Sequence, residues 1–119
     1  MADVVTERGG VPVLVCGEEG ARISGVQDAL DVIGSAFSRA EVVAVPVGRF
    51  DERFFALRTG LAGELLQKFV NYRIRLAIVG DVSAYTAAST AFRDLVRECN
   101  RGDRTWFVDD LEALDARLG

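Results

Sequence analysis

The segment Arg75-Leu76-Ala77-Ile78-Val79-Gly80-Asp81 constrains the fold more than any other. Four residues suited to burial stand between Arg75 and a Gly-Asp break. An unbroken apolar run of this length fits a strand covered on both faces, as a parallel sheet requires. It is too short to cross a membrane. Helical patterns flank it, Leu61 to Val70 before and Ala88 to Cys99 after. A strand between two helices is the centre of an α/β unit, and the rest of the chain is expected to add layers to it.

The 119 residues suit one domain, 1–119, with a sizeable core. Half of the residues are hydrophobic, which separates the chain from disordered sequences. The net charge of -4 argues against a nucleic-acid partner, because phosphate binding wants a basic surface. Histidine is absent, so histidine acid-base chemistry and histidine metal ligation are excluded. Cys16 and Cys99 lie far apart in sequence and read as buried free thiols. The acidic opening Met1-Ala2-Asp3 has no long apolar run behind it, and a cytoplasmic protein without a membrane partner is expected.

Val4 and Val5 open a first strand. Arg8-Gly9-Gly10 is a hairpin turn in which the glycines supply positive φ. Val11 to Cys16 is the second strand, and Pro12 places this pair at a sheet edge. Gly17-Glu18-Glu19-Gly20 reads as a solvated acidic turn. Ser24 and Gln27 have the spacing of a capping box, and Val26, Leu30, Ile33 and Phe37 make the apolar stripe of a first helix. Glu41 to Val47 is the third strand, ended by Pro46.

A second helix begins near Thr59, with Leu61, Leu65 and Phe69 on its inner face. Gly60 and Gly63 lower its propensity, which close packing of the helix would explain. After Asp81 a third helix starts at Ser83 or at Ser89, and Gly102 stops it. Thr105 to Val108 is the last strand. Asp109 and Glu112 have capping-box spacing for a final helix carrying Leu111, Leu114 and Leu118. The expected fold is α/β: a mixed, mostly parallel five-stranded sheet, in the order β-β-α-β-α-β-α-β-α, covered by about four helices.

Neither glycine turn has the spacing of a phosphate-binding loop or a dinucleotide fingerprint. Lys68, the only lysine, lies mid-helix, outside any Ser-Lys motif. No catalytic residue, metal site or cofactor is assigned. Candidate surface residues come from where α/β sheets bind ligands, beyond the carboxyl ends of their strands. Asp81 follows the central strand, and Asp51, Thr59 and Asp109 fall at the same rim. Phe50, Phe54 and Phe55, three phenylalanines within six residues, form either a turn folded on the sheet or part of a partner surface. Arg58 and Gly60 flank Thr59. Tyr85, with Thr86, Ser89 and Thr90, makes a hydroxyl-rich approach to a helix start.

Two resemblances rest on these residues. The stretches Phe54 to Glu64, Lys68 to Arg73, Leu76 to Asp81 and Glu98 to Gly102, with Phe107-Val108, resemble a family of small bacterial domains catalogued as domain of unknown function 4180. That family implies no activity. The element order is also similar to the STAS domains, the anti-sigma factor antagonist (SpoIIAA-like) fold. In those a hydroxyl residue before a glycine at a helix start is phosphorylated by a partner kinase. The matching stretch here is Leu57-Arg58-Thr59-Gly60. Thr59 takes the hydroxyl position, Leu57 stands in place of an aspartate and Arg58 in place of a serine.

The resemblance implies a non-catalytic regulatory or protein-interaction domain, switched at Thr59, with a regulatory protein or kinase as partner. A small-molecule sensor using Asp81, Tyr85 and the Phe50–Phe55 segment is the alternative. An enzyme dependent on carboxylates or a metal is the third reading. A homodimer through the strands around Val4 and Val11, or through the Phe-rich segment, is a further expectation.

Overall fold

The computed structural model describes residues 3–119; the Met1-Ala2 opening, on which the expectation about the chain's start partly rests, lies outside them. The apolar run becomes β4 (Arg75–Val79), third of four parallel strands. Its neighbours are β3 (Val42–Pro46) and β5 (Thr105–Val108). β2 (Val11–Val15) completes the parallel set, and β1 (Val4–Arg8) pairs antiparallel with β2. Strand order in space equals strand order in sequence. The β1-β2 turn uses Gly9 and Gly10 at φ 57 and 80°, a conformation that costs glycine little. Pro46 is the last residue of β3 in register with β4, opposite Val79, as its missing N–H suggests.

Right-handed crossovers between sequential parallel strands bring the connecting helices to one face. These are α1 (Val26–Ala36), α2 (Leu61–Asn71), α3 (Ser83–Ala88) and α4 (Thr90–Arg101). Under them lie Leu14, Val43, Val45, Leu76, Ile78 and Phe107, packed with Ile33, Leu65, Phe69 and Phe92. The opposite face carries Val13, Val42, Ala44, Ala77, Trp106 and Val108. It is met by α5 (Leu111–Leu118) through the fully buried Leu114. β4 therefore has protein on both faces, because alternate side chains enter different cores.

Local chemistry departs from the expectations at several helix ends. Five helices are present among the described residues, where about four were expected, because Ser89 splits the third. The Ser89 side chain accepts a hydrogen bond from the Phe92 N–H and caps α4, and the Asp81 side chain accepts from the Ser83 N–H before α3. At α1 the N-cap is Gly25, and the Asp28 carboxylate accepts from the Ser24 and Gly25 N–H groups and the Ser24 hydroxyl. Asp28 binds all three donors itself, so the expected Ser24–Gln27 box does not form. Phe37 leaves the stripe: α1 ends at Ala36, Ser38 turns left-handed at φ 64°, and the ring is 61% exposed. Ala29, Val32, Ile33 and Ala36 are the buried residues of α1. α2 starts at Leu61 with Gly60 as N-cap at φ 78°, two residues later than expected. A side chain at Gly63 would meet nothing within 4 Å, so close packing is not what places a glycine there. α5 is capped by Asp110, whose side chain accepts from the Ala113 N–H, and not by Asp109.

Candidate functional site

Each connecting helix begins near the carboxyl end of the strand before it, so the rim beyond those ends collects turns, caps and helix N-termini. The longest connection there runs from β3 to α2. It is built of three 3-10 turns, Val47–Arg49, Glu52–Phe55 and Leu57–Thr59. A short parallel bridge ties it to the β2-α1 loop: the Ile23 N–H donates to the Arg49 carbonyl and the Asp51 N–H to the Ile23 carbonyl.

The Phe-rich part of this connection is core. Phe50, Phe54 and Phe55 are 2, 0 and 5% exposed. Phe50 packs on Phe54 with centroids 4.5 Å apart, and Phe55 stacks on Tyr85 at 3.9 Å and 8°. Phe92 continues the series edge-on against Phe55 and Phe107. Of the two readings of the three phenylalanines, the turn folded on the sheet is the one seen: Phe50, Phe54 and Phe55 pack on one another and on the half-buried Tyr85, and the exposed part of the segment is Glu52 and Arg53. Burial of an aromatic cluster yields more free energy than any exposed arrangement of the same rings.

Arg49 is the buried charge of the rim, at 6% exposure. Its Nε donates to the Ala21 carbonyl and its Nη1 to the Gly17 carbonyl, both at 2.9 Å. The guanidinium thereby pins the β2-α1 loop. Gly20 lies so close that any side chain there would displace it. Burial, with the Asp3 carboxylate beside it, pushes the nearby Cys16 thiol up to about 12. Burial also raises Cys99, with the Glu98 charge as a second cause. Both cysteines are free and neither is poised as a thiolate at neutral pH.

Thr59 is exposed, at the end of the third 3-10 turn. Its hydroxyl lies 2.7 Å from the Arg53 carbonyl and 2.8 Å from the Ala56 carbonyl, and accepts from the Leu61 N–H at 3.3 Å. One hydroxyl thus joins the preceding turn to the first residue of α2. Arg58 is exposed and pairs with no carboxylate among the described residues. Asp51 is engaged: it accepts from the Arg53 backbone and side chain, and the Arg53 N–H, the larger cause, holds its carboxyl below the usual range. The Ser83 N–H does the same to Asp81. Asp81 and Asp109 are exposed and line one depression with Asn100 and Arg117.

A groove of about 550 Å³ opens on the α5 face of this rim. Val15, Ala44, Pro46, Val79 and Leu111 line it, and Glu18, Asp109, Asp110 and Glu112 also border it. The sequence reading missed this groove, because its walls come from strands distant in sequence. It also missed Arg49 as the loop's anchor. No group of three or more metal-ligating side chains converges among the described residues. No helix among them is long and apolar enough to cross a membrane.

The profile of the family described as Domain of unknown function (DUF4180) matches residues 8–118. The chain belongs to the DUF4180 family. No curated protein and no solved structure matches it. The matched span takes in the whole rim of this DUF4180 domain except Asp3, together with every element from β2 to α5.

Proposed function

We propose that the chain is a non-catalytic regulatory domain that binds another protein through the carboxyl rim of its sheet, with Thr59 as the point of control. The observation that carries this reading is the Thr59 hydroxyl, exposed yet bonded on both sides of the junction between the third 3-10 turn and α2. Phosphorylation would remove its only proton. The Arg53 and Ala56 carbonyls would lose their donor, and up to about two negative charges would stand at the start of α2. That helix start favours an anion, while the turn before it would be released. The Thr59-Gly60 pair, set between a long connection and a helix, keeps the resemblance to STAS domains as support. A cytoplasmic regulatory protein or kinase is the partner this reading implies.

Affinity capture from cells of the source organism tests it, with wild-type, Thr59→Ala and Thr59→Glu chains as baits. The expected result is a partner whose recovery differs between the Ala and Glu baits, with phosphate found on Thr59 of the wild type. Identical partner sets for all three baits would sink the proposal.

A small-molecule sensor is the second reading, and the apolar groove with its acidic border is what favours it. Its ligand would be an apolar body bearing a cation. Its location is the α5 face, not the Phe50–Phe55 and Tyr85 surface expected from sequence.

A further inference from the structure

The two edges of the sheet are finished differently. On β5 the side chain of Asn100 closes the edge: its Nδ2 donates to the Phe107 carbonyl at 3.2 Å, and its Oδ1 accepts from the Phe107 N–H at 2.8 Å. An amide side chain thus takes the place of a neighbouring strand. β1 has no such cover among the described residues. It also lacks proline, lysine and a bulge, three of the devices that protect an edge, and its only charges are Glu7 and the paired Arg8.

Which groups β1 presents outward follows from β2. Pro12 stands opposite Glu7, has no N–H, and gives its carbonyl to the Glu41 N–H on the β3 side. Glu7 therefore exchanges no hydrogen bond with Pro12, and its N–H and C=O point away from the sheet. By the two-residue period of an antiparallel ladder, so do those of Val5. Thr6, between them, pairs with Val13 on the α5 side. Its Oγ1 is shielded from solvent and has no hydrogen-bond partner, the one buried side-chain oxygen or nitrogen in that condition among the described residues.

We propose that a second copy of the chain pairs with this edge, β1 against β1 antiparallel, about a two-fold axis at Thr6. The inference is independent of the regulatory reading of Thr59. Outward groups on odd-numbered residues restrict a symmetric pairing to a few registers. Centring on Glu7 would oppose Glu7 to itself. Centring on Val5 would oppose Asp3 to Glu7. Like charges directly opposite are unfavourable. Centring on Thr6 sets Val5 against Glu7 and Val4 against Arg8, and leaves no like pair. Arg8 is already neutralised by Asp115, at 2.6 and 3.1 Å. Val4, 45% exposed in the single chain, gains cover from the Arg8 stem. Thr6 then faces its own copy in a close, non-hydrogen-bonded pair, where two threonine hydroxyls reach each other. A turn about the Thr6 χ1 bond would bring the orphaned oxygen to that pair, and two five-stranded sheets become one continuous sheet.

The test is sedimentation of the purified full chain over a range of concentrations. The expected mass is twice that of one chain. Glu7→Pro removes an outward N–H and no bond to β2, so it should return the mass to one chain with the circular dichroism spectrum unchanged. Thr6→Cys reads the register: mild oxidation should give a covalent dimer on a non-reducing gel, while the wild type, with Cys16 and Cys99, stays monomeric there. A single-chain mass at every concentration would overturn the proposal. So would a dimer that survives Glu7→Pro with its fold intact, or one in which Thr6→Cys fails to cross-link.

Discussion

The two faces of the sheet differ in how completely they are covered. Four helices and the β3-α2 connection seal one face, and an aromatic series from Phe50 through Phe54, Phe55 and Tyr85 to Phe92 and Phe107 fills the space between. One helix of eight residues serves the other face, held by Leu114 and by the Arg8–Asp115 pair at its far end. The first face is where burial supplies stability. The second keeps an open groove, and an open groove is available to a ligand or partner.

Stability measurements separate the two faces. Phe54→Ala on the sealed face should be the most damaging change, about 3–5 kcal/mol by denaturant unfolding, since the ring is fully buried among other rings. Leu114→Ala on the open face should cost about 2–5 kcal/mol, and below the Phe54 value. Equal losses would mean that α5 contributes as much as the helical layer. Asn100→Ala strips the clasp from β5 and should cost about 1–3 kcal/mol, with faster hydrogen exchange at the Phe107 amide. Leu111→Ala, at the wall of the groove, should cost about 1 kcal/mol or less, because that side chain is only half-buried.

A pH measurement sharpens the same contrast, because Cys16 lies in the sealed core. Its folded thiol sits at about 12 against an ordinary 9.0, so the folded state keeps a proton that the unfolded chain gives up. Stability should therefore fall as pH rises from about 9 towards about 12, and be unaffected by this group at pH 7. A Cys16→Ala chain should show a shallower fall over that window. An equal slope would mean that the thiol is not shielded.

How far the sequence could be read depended on the range of the interactions involved. β4 was legible because an apolar run between helical patterns has few alternatives, and Gly9-Gly10 because a hairpin demands positive φ. Caps were legible only to within a residue or two. Asp28 took the role given to Ser24 and Gln27, and Asp110 the role given to Asp109, because neighbouring polar residues compete for the same orphan N–H groups and only local geometry selects the winner. Phe37 was misread because helical periodicity cannot show where a helix stops. Of the site residues, Thr59, Asp81 and Asp109 lie exposed at helix starts and turns, while Phe50, Phe54 and Phe55 lie in the core.

The sequence by itself determined an α/β chain with a buried central strand, an edge hairpin and no histidine chemistry. Those follow from pattern and composition, which are local or additive. Tertiary structure alone decided that Phe50, Phe54 and Phe55 face inward, that Arg49 anchors a loop near Gly17, and that Val15, Ala44, Pro46, Val79 and Leu111 share a groove. Each of these joins residues far apart in the chain, and only the closed sheet brings them within contact distance.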